Sequence, residues 1–178
     1  SPPTVSMAPS GQITKGFGEE LSVSATFTDN WGVESIDWLF DGSIVLSNYS
    51  ISEPTSTLTI QVSDDYSAGE HVASIIVTDN SGLSTRQDVT VIFIDVSAPV
   101  ITPYENQIEV ESGDPTILQI FAQDNQSVGL EYTWTFEQGT ENEIQFSGPQ
   151  VIYEFDSQGP TSVVCRVQND AGLSSSPE

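Results

Sequence analysis

Four short phrases carry the residues best equipped for chemistry: Asp29-Asn30, Asp79-Asn80, Asp124-Asn125 and Asn169-Asp170. Each ends an alternating, strand-like run, and glycine follows three of them at Gly32, Gly82 and Gly172. Two chemistries fit such residues. Oxygen-rich side chains suit calcium, a hard ion that takes six to eight oxygens from carboxylates, carbonyls and water. The same side chains close turns by bonding their own backbone two residues on, with glycine completing the turn. The calcium reading takes Asp29 and Asp79 in the first half of the chain and Asp124 and Asp170 in the second, with Asp95 joining the latter two as a clamp between the halves. No continuous loop has calcium-ligand spacing, so any such site is assembled from separate loops.

Other reactive side chains are few. Catalysis needs a nucleophile with a base, paired carboxylates in a cleft, or metal-bound water. The single histidine, His71, opens a predicted strand beside Gly69 and has no second histidine to work with, so it reads as packing. The single cysteine, Cys165, is flanked at period two by Val163 and Val167, the environment of a small core residue; one cysteine also excludes an internal disulfide. No catalytic set emerges. Trp38 and Trp134 read as core, whereas Trp31 occupies a loop apex where the second half has Gln126, open to a partner domain or a stacked sugar. Asn48 and Asn125 begin N-x-S sequons, which permit glycosylation; a glycan on Asn125 would crowd calcium at Asp124.

Charge narrows the partners. Three basic residues stand against 26 acidic ones, a net charge of −23 spread over both halves. Such a field repels phosphate backbones, which excludes nucleic acid as a partner class, and it disfavours anionic membrane. No run reaches the ~18 apolar residues of a membrane helix, so this segment has no means of direct membrane insertion. The acidity suits a surface that resists aggregation and attracts cations.

These residues must be positioned by β-strands. Period-two alternation recurs between Gly, Asp, Asn and Pro punctuation, as in LSVSATF, HVASIIVT and DVTVIFIDV, and helical periodicity is absent. The pattern also repeats within the chain. Asp29-Asn30 and Asp124-Asn125 are 95 residues apart, Trp38 and Trp134 are 96 apart, and Gly82-Leu83-Ser84 recurs 90 residues on as Gly172-Leu173-Ser174. The repeat predicts two similar domains, 1–96 and 97–178, each an immunoglobulin-type sandwich of about seven strands with a buried tryptophan on the third. Strands are expected at 21–28, 34–40, 71–78 and 86–96, then at 115–122, 130–136 and 161–168. The linker around IDVSAPVI is short and carries Pro99, which predicts an extended, semi-rigid pair.

The same register aligns Glu178 with Asp88, which in the first copy runs on into VTVIFIDV. The second sandwich is therefore expected to lack its last strand, through truncation or because a neighbouring molecule supplies it. An uncovered sheet edge has to be dealt with in either case.

The phrases ATFTDNWGVESIDWLFDGS and SAGEHVASIIVTDNSGLST resemble bacterial and archaeal Ig-like domains, while YTWTFEQGT with VIYEFDSQGPTSVVCRVQNDAGLSS resembles a polycystic kidney disease (PKD) type domain. Where the PKD pattern has Gly-Asp-Gly after its tryptophan strand, this chain has Glu137-Gln138-Gly139. The resemblance implies a non-enzymatic segment of a large cell-surface or secreted protein, a spacer, stalk, sheath or adhesive element whose partners are neighbouring domains or further copies. The rival expectations are a filament subunit assembled by strand donation and a carbohydrate-binding accessory module using Trp31.

Overall fold

The structure, a computed structural model, describes residues 1–178 apart from 50, 103, 104, 106, 128, 157, 177 and 178. It divides into unit 1, Ser1–Asp95, and unit 2, Val96–Glu178. Every element among the described residues is a strand.

Unit 1 contains β1 (Thr4–Ala8), β2 (Ile13–Gly16), β3 (Glu20–Thr28), β4 (Val33–Phe40), β5 (Ser43–Tyr49), β6 (Thr55–Gln61), β7 (Gly69–Asp79) and β8 (Ser84–Ile94). One sheet has the order β1-β3-β6 and the other β2-β8-β7-β4-β5. The alternation in β3 has a direct physical reading: Leu21, Val23, Ala25 and Phe27 are buried while the residues between them are exposed, as expected of a strand with one wet face. Opposite them, Ile36, Trp38 and Phe40 on β4, Ala73, Ile75 and Val77 on β7, and Val89, Val91 and Phe93 on β8 close one core. Trp38 pairs with Ile75 across the sheet and donates its indole N–H to Ser56 Oγ at 2.9 Å.

The β4–β5 hairpin turns at Asp41-Gly42, both at positive φ (48° and 80°). Two such residues are what a tight hairpin matching strand twist requires. The first residue of β7, Gly69, has φ 123°. β8 is held antiparallel to β7 and parallel to β2, with Val91 opposite both His71 and Ile13.

Unit 2 contains β9 (Val100–Ile101), β10 (Pro115–Gln119), β11 (Ala122–Gln123), β12 (Leu130–Phe136), β13 (Ile144–Ser147), β14 (Gln150–Glu154), β15 (Val163–Asn169) and β16 (Ser174–Ser175). Its main sheet runs β13-β12-β15-β16, with β10-β14 and β11-β9 as separate pairs. Trp134 pairs with Cys165 as Trp38 pairs with Ile75, and it donates to the Gly148 carbonyl at 2.9 Å.

Three details refine the expected plan. Unit 1 has eight strands, because the first edge strand breaks into β1 and β2 and crosses from one sheet to the other. The strand expected at 115–122 is interrupted at Ile120-Phe121: Ile120 donates to the Pro149 carbonyl, whereas the Phe121 carbonyl accepts from Thr102, so the chain changes partner between them. The last strand of unit 2 is not wholly missing, since Ser174 and Ser175 pair with Gln168 and Val167. That register equals the one that places Ser84 and Thr85 against Thr78 and Val77 in unit 1.

Candidate functional site

At the end of the unit 1 sandwich, β3 and β7 deliver the Asp-Asn phrases to adjoining loops. Asn80 Nδ2 donates to the Trp31 carbonyl at 2.8 Å, and Asn80 N donates to the Gly32 carbonyl at 3.2 Å, tying the loops together. Asp29 Oδ1 accepts the Trp31 amide at 2.7 Å. Asp79 is fully buried, and its Oδ1 accepts the amides of Ser81 (2.7 Å) and Leu83 (2.9 Å). Its Oδ2 is buried without a hydrogen-bond partner among the described residues.

Unit 2 builds the same end with one exchange. Asn169 takes the place of Asp79, with Oδ1 accepting the Leu173 amide at 2.8 Å. Its Nδ2 donates to Asp124 Oδ2 at 3.0 Å and to the Ser97 carbonyl at 2.9 Å, while Asp124 Oδ1 accepts the Gln126 amide. Asp170 turns outward; its Oδ2 accepts from the Gly129 amide (3.0 Å) and the Ser127 hydroxyl (3.3 Å). A Cβ on Gly129 would collide with the Asp170 carboxylate. Turn closure thus accounts for one oxygen of each of Asp29, Asp79 and Asp124. Among the described residues no three His, Cys, Asp or Glu side chains gather as a metal-binding group.

The remaining sequence-derived sites fall elsewhere. Trp31 is 67% exposed at its loop apex. Asn48 lies on β5, whose residues are all exposed, and Asn125 is exposed beside Asp124; Ser50 of the first sequon lies outside the described residues. Asp95 follows β8 and is the last residue of unit 1. Cys165 is buried, and burial pushes its thiol up to about 11, which suppresses the reactive thiolate.

His71 has partners that sequence reasoning missed. Its Nε2 donates to the Ser67 carbonyl at 2.8 Å and its Nδ1 lies 2.7 Å from Asp41 Oδ2. The ring packs 4.5 Å from Phe93 and stacks on Phe40 at 5.5 Å. Asp41 also accepts the Val72 amide at 2.9 Å. Nothing in the spacing of Asp41 and His71 shows that the turn aspartate reaches across to β7, the neighbour of β4 in the sheet.

A second feature arises where β16 stops. An open groove of about 930 Å³ runs over the unit 2 core, lined by Ile108, Val110, Ile120, Trp134, Val163 and Cys165 among others. In unit 1 the corresponding space is filled by β8, whose Val89, Val91 and Phe93 lie between β2 and β7. The repeat could have located this groove, since Ile108 corresponds to Ile13 of β2.

Residues 104–177 match the PKD domain family. The PKD match thus covers most of unit 2, and unit 1 lies outside it. No curated protein matches the chain. Among solved structures, the chain is similar to a tetra-tandem repeat in the extending region of a large adhesion protein, with 15% identity, TM-score 0.57, and 99% of this chain and 48% of that one covered. It is also similar to Rst D1-D2 (16% identity, TM-score 0.56, 97% and 96% covered). A third similarity is to the complex of Dpr2 Ig1-Ig2 with DIP-Theta Ig1-Ig3 (14% identity, TM-score 0.56, 99% and 65% covered). At these identities the likeness establishes the fold, tandem Ig-like β-sandwiches. No helix among the described residues is long and apolar enough to cross a membrane.

Proposed function

We propose that this chain is a non-catalytic module of an extracellular surface protein, where it spaces or displays other domains and meets neighbouring domains or further copies. The observation carrying this reading is the repetition of one sandwich plan in two consecutive units. One oxygen of each of Asp29, Asp79 and Asp124 closes a turn, and a net charge of −23 keeps such modules from associating non-specifically. Calcium held by loop carboxylates, stiffening the module, is the finer part of the reading. Antibodies raised against the chain are expected to label intact cells of the source organism; labelling only after permeabilisation would overturn the surface assignment.

A second reading is supported by the groove beside β15. A strand supplied by another molecule could continue the register of β16, place apolar residues over Trp134 and Cys165, and link copies into a filament by strand addition. Light scattering on the purified chain separates the two: ordered polymers favour strand donation, and a monomer at all concentrations favours the spacer.

A further inference from the structure

The two units solve the same end differently, and the difference is one atom type. Strand register makes Pro3 the counterpart of Pro99, because Thr85 and Ser175 each donate a hydroxyl to these carbonyls, both at 2.6 Å. Ser1 then corresponds to Ser97, Asp29 to Asp124 and Asp79 to Asn169. In unit 2 a positively polarised amide group, Asn169 Nδ2, lies between Asp124 Oδ2 and the Ser97 carbonyl, satisfying both. In unit 1 that position belongs to Asp79 Oδ2, a fully buried carboxylate oxygen with no hydrogen-bond partner among the described residues. Asp29 Oδ1 is engaged by the Trp31 amide as Asp124 Oδ1 is by Gln126, which makes Asp29 Oδ2 the counterpart of Asp124 Oδ2.

By this correspondence the unit 1 position holds a buried carboxylate oxygen, Asp79 Oδ2, where unit 2 has an amide donor, and Asp29 Oδ2 and the Ser1 carbonyl are the counterparts of that donor's two acceptors. A buried carboxylate is costly unless a counter-charge compensates it. The two basic side chains of unit 1 are placed elsewhere: Arg86 is bound by Asp88 and Ser74, and Lys15 pairs with Phe93 at the far end of the sheet. We infer that unit 1 binds one calcium ion between Asp79 Oδ2, Asp29 and the Ser1 carbonyl, in the position that the Asn169 amide fills in unit 2. Carboxylate and carbonyl oxygens completed by water form the ligand set of a hard cation. The consequence is asymmetric: unit 1 depends on calcium and unit 2 does not. This narrows the calcium part of the reading above to one site, and it stands or falls separately from the spacer role.

The experiment uses the full chain, stripped with chelator and titrated with calcium chloride in 150 mM salt to screen diffuse binding to the acidic surface. One ion per chain is expected. At calcium 100 times the Kd, the folded-to-unfolded ratio of unit 1 should rise about 100-fold. Asp79→Asn imports the unit 2 solution, so it should fold, melt higher than the parent in chelator and lose the calcium response. Asn169→Asp should lower the unit 2 melting temperature in chelator and make it recoverable with calcium. The inference is overturned if the parent binds no stoichiometric calcium, or if Asp79→Asn keeps the response. It is also overturned if acidification alone raises the parent's melting temperature without any calcium effect, since a shared proton then replaces the ion. Surface labelling of cells is unaffected by any of these outcomes.

Discussion

Replacing His71 with phenylalanine removes two hydrogen bonds while leaving the packing in place. The ring is 7% exposed and lies against Phe93 and Phe40, contacts that a phenyl group keeps. Lost are the bond to the Ser67 carbonyl and the pairing with Asp41 Oδ2. A neutral bond is worth ~0.5–1.5 kcal/mol and one to a charged group ~1.5–3 kcal/mol. The Asp41 side chain is 47% exposed, so water replaces part of what it loses and the lower ends of both ranges apply, giving ~2 kcal/mol in total. For a domain of this size that corresponds to roughly 8–16 °C in Tm. Guanidinium unfolding, with calorimetry alongside, should record the loss with an unchanged m-value. Asp41→Asn is the control. Asparagine tolerates positive φ at the turn and can still accept the Val72 amide, so it should cost ~1 kcal/mol. A His71→Phe loss below ~0.5 kcal/mol, the scale of ordinary surface substitutions, would refute the reasoning; so would Asp41→Asn costing more than His71→Phe.

Gly129→Ala should cost ~1–2 kcal/mol by driving the Asp170 carboxylate off the Gly129 amide, and adding Asp170→Ala should cost little more, as a double-mutant cycle would show. Unit 2 has six core residues in its buried cluster against eighteen in unit 1 among the described residues, so calorimetry should find unit 2 melting first. Trp134→Ala, which removes the largest of those six, should lower only that transition, by ~3–5 kcal/mol. Cys165, with its thiol raised to about 11, should resist alkylation at pH 8 in the native chain and react promptly once guanidinium unfolds unit 2. The Arg86 hydrogen bond holds the Asp88 carboxyl below its ordinary 3.8. A depressed folded value stabilises above 3.8 and is lost as pH falls through the lower folded value. Both side chains are about half exposed, so Asp88→Asn should remove no more than ~1 kcal/mol at neutral pH and flatten the acid limb of the stability curve.

Much of this protein was legible in one dimension because its physics is local. Period-two alternation dictates a strand with one buried face, and LSVSATF on β3 obeys it residue by residue. The glycines after the Asp-Asn phrases marked turns correctly, Gly32, Gly82 and Gly172 all having positive φ. The 90-residue offset that relates Gly82-Leu83-Ser84 to Gly172-Leu173-Ser174 also relates Ile75 to Cys165, and both pair with their unit's core tryptophan. The interruption at Ile120-Phe121 was hidden, because Ile117 to Gln123 reads as one run and only the hydrogen bonds to Pro149 and Thr102 divide it.

Partnership is what the sequence left open. Asp79 and Asn169 close the same turn in aligned phrases, and nothing local says that the other end of the Asn169 side chain meets a carboxylate and a carbonyl from distant parts of the chain while that of Asp79 is buried without a hydrogen-bond partner among the described residues. His71 and Asp41 are likewise 30 residues apart and meet only because β4 and β7 are neighbours in the sheet. The sequence by itself determined the strands, the repeat and the turn chemistry, since these depend on backbone conformation and the spacing of apolar side chains. Only the tertiary structure decided which polar groups meet, because burial and hydrogen-bond satisfaction are properties of the packed ends of the sandwich.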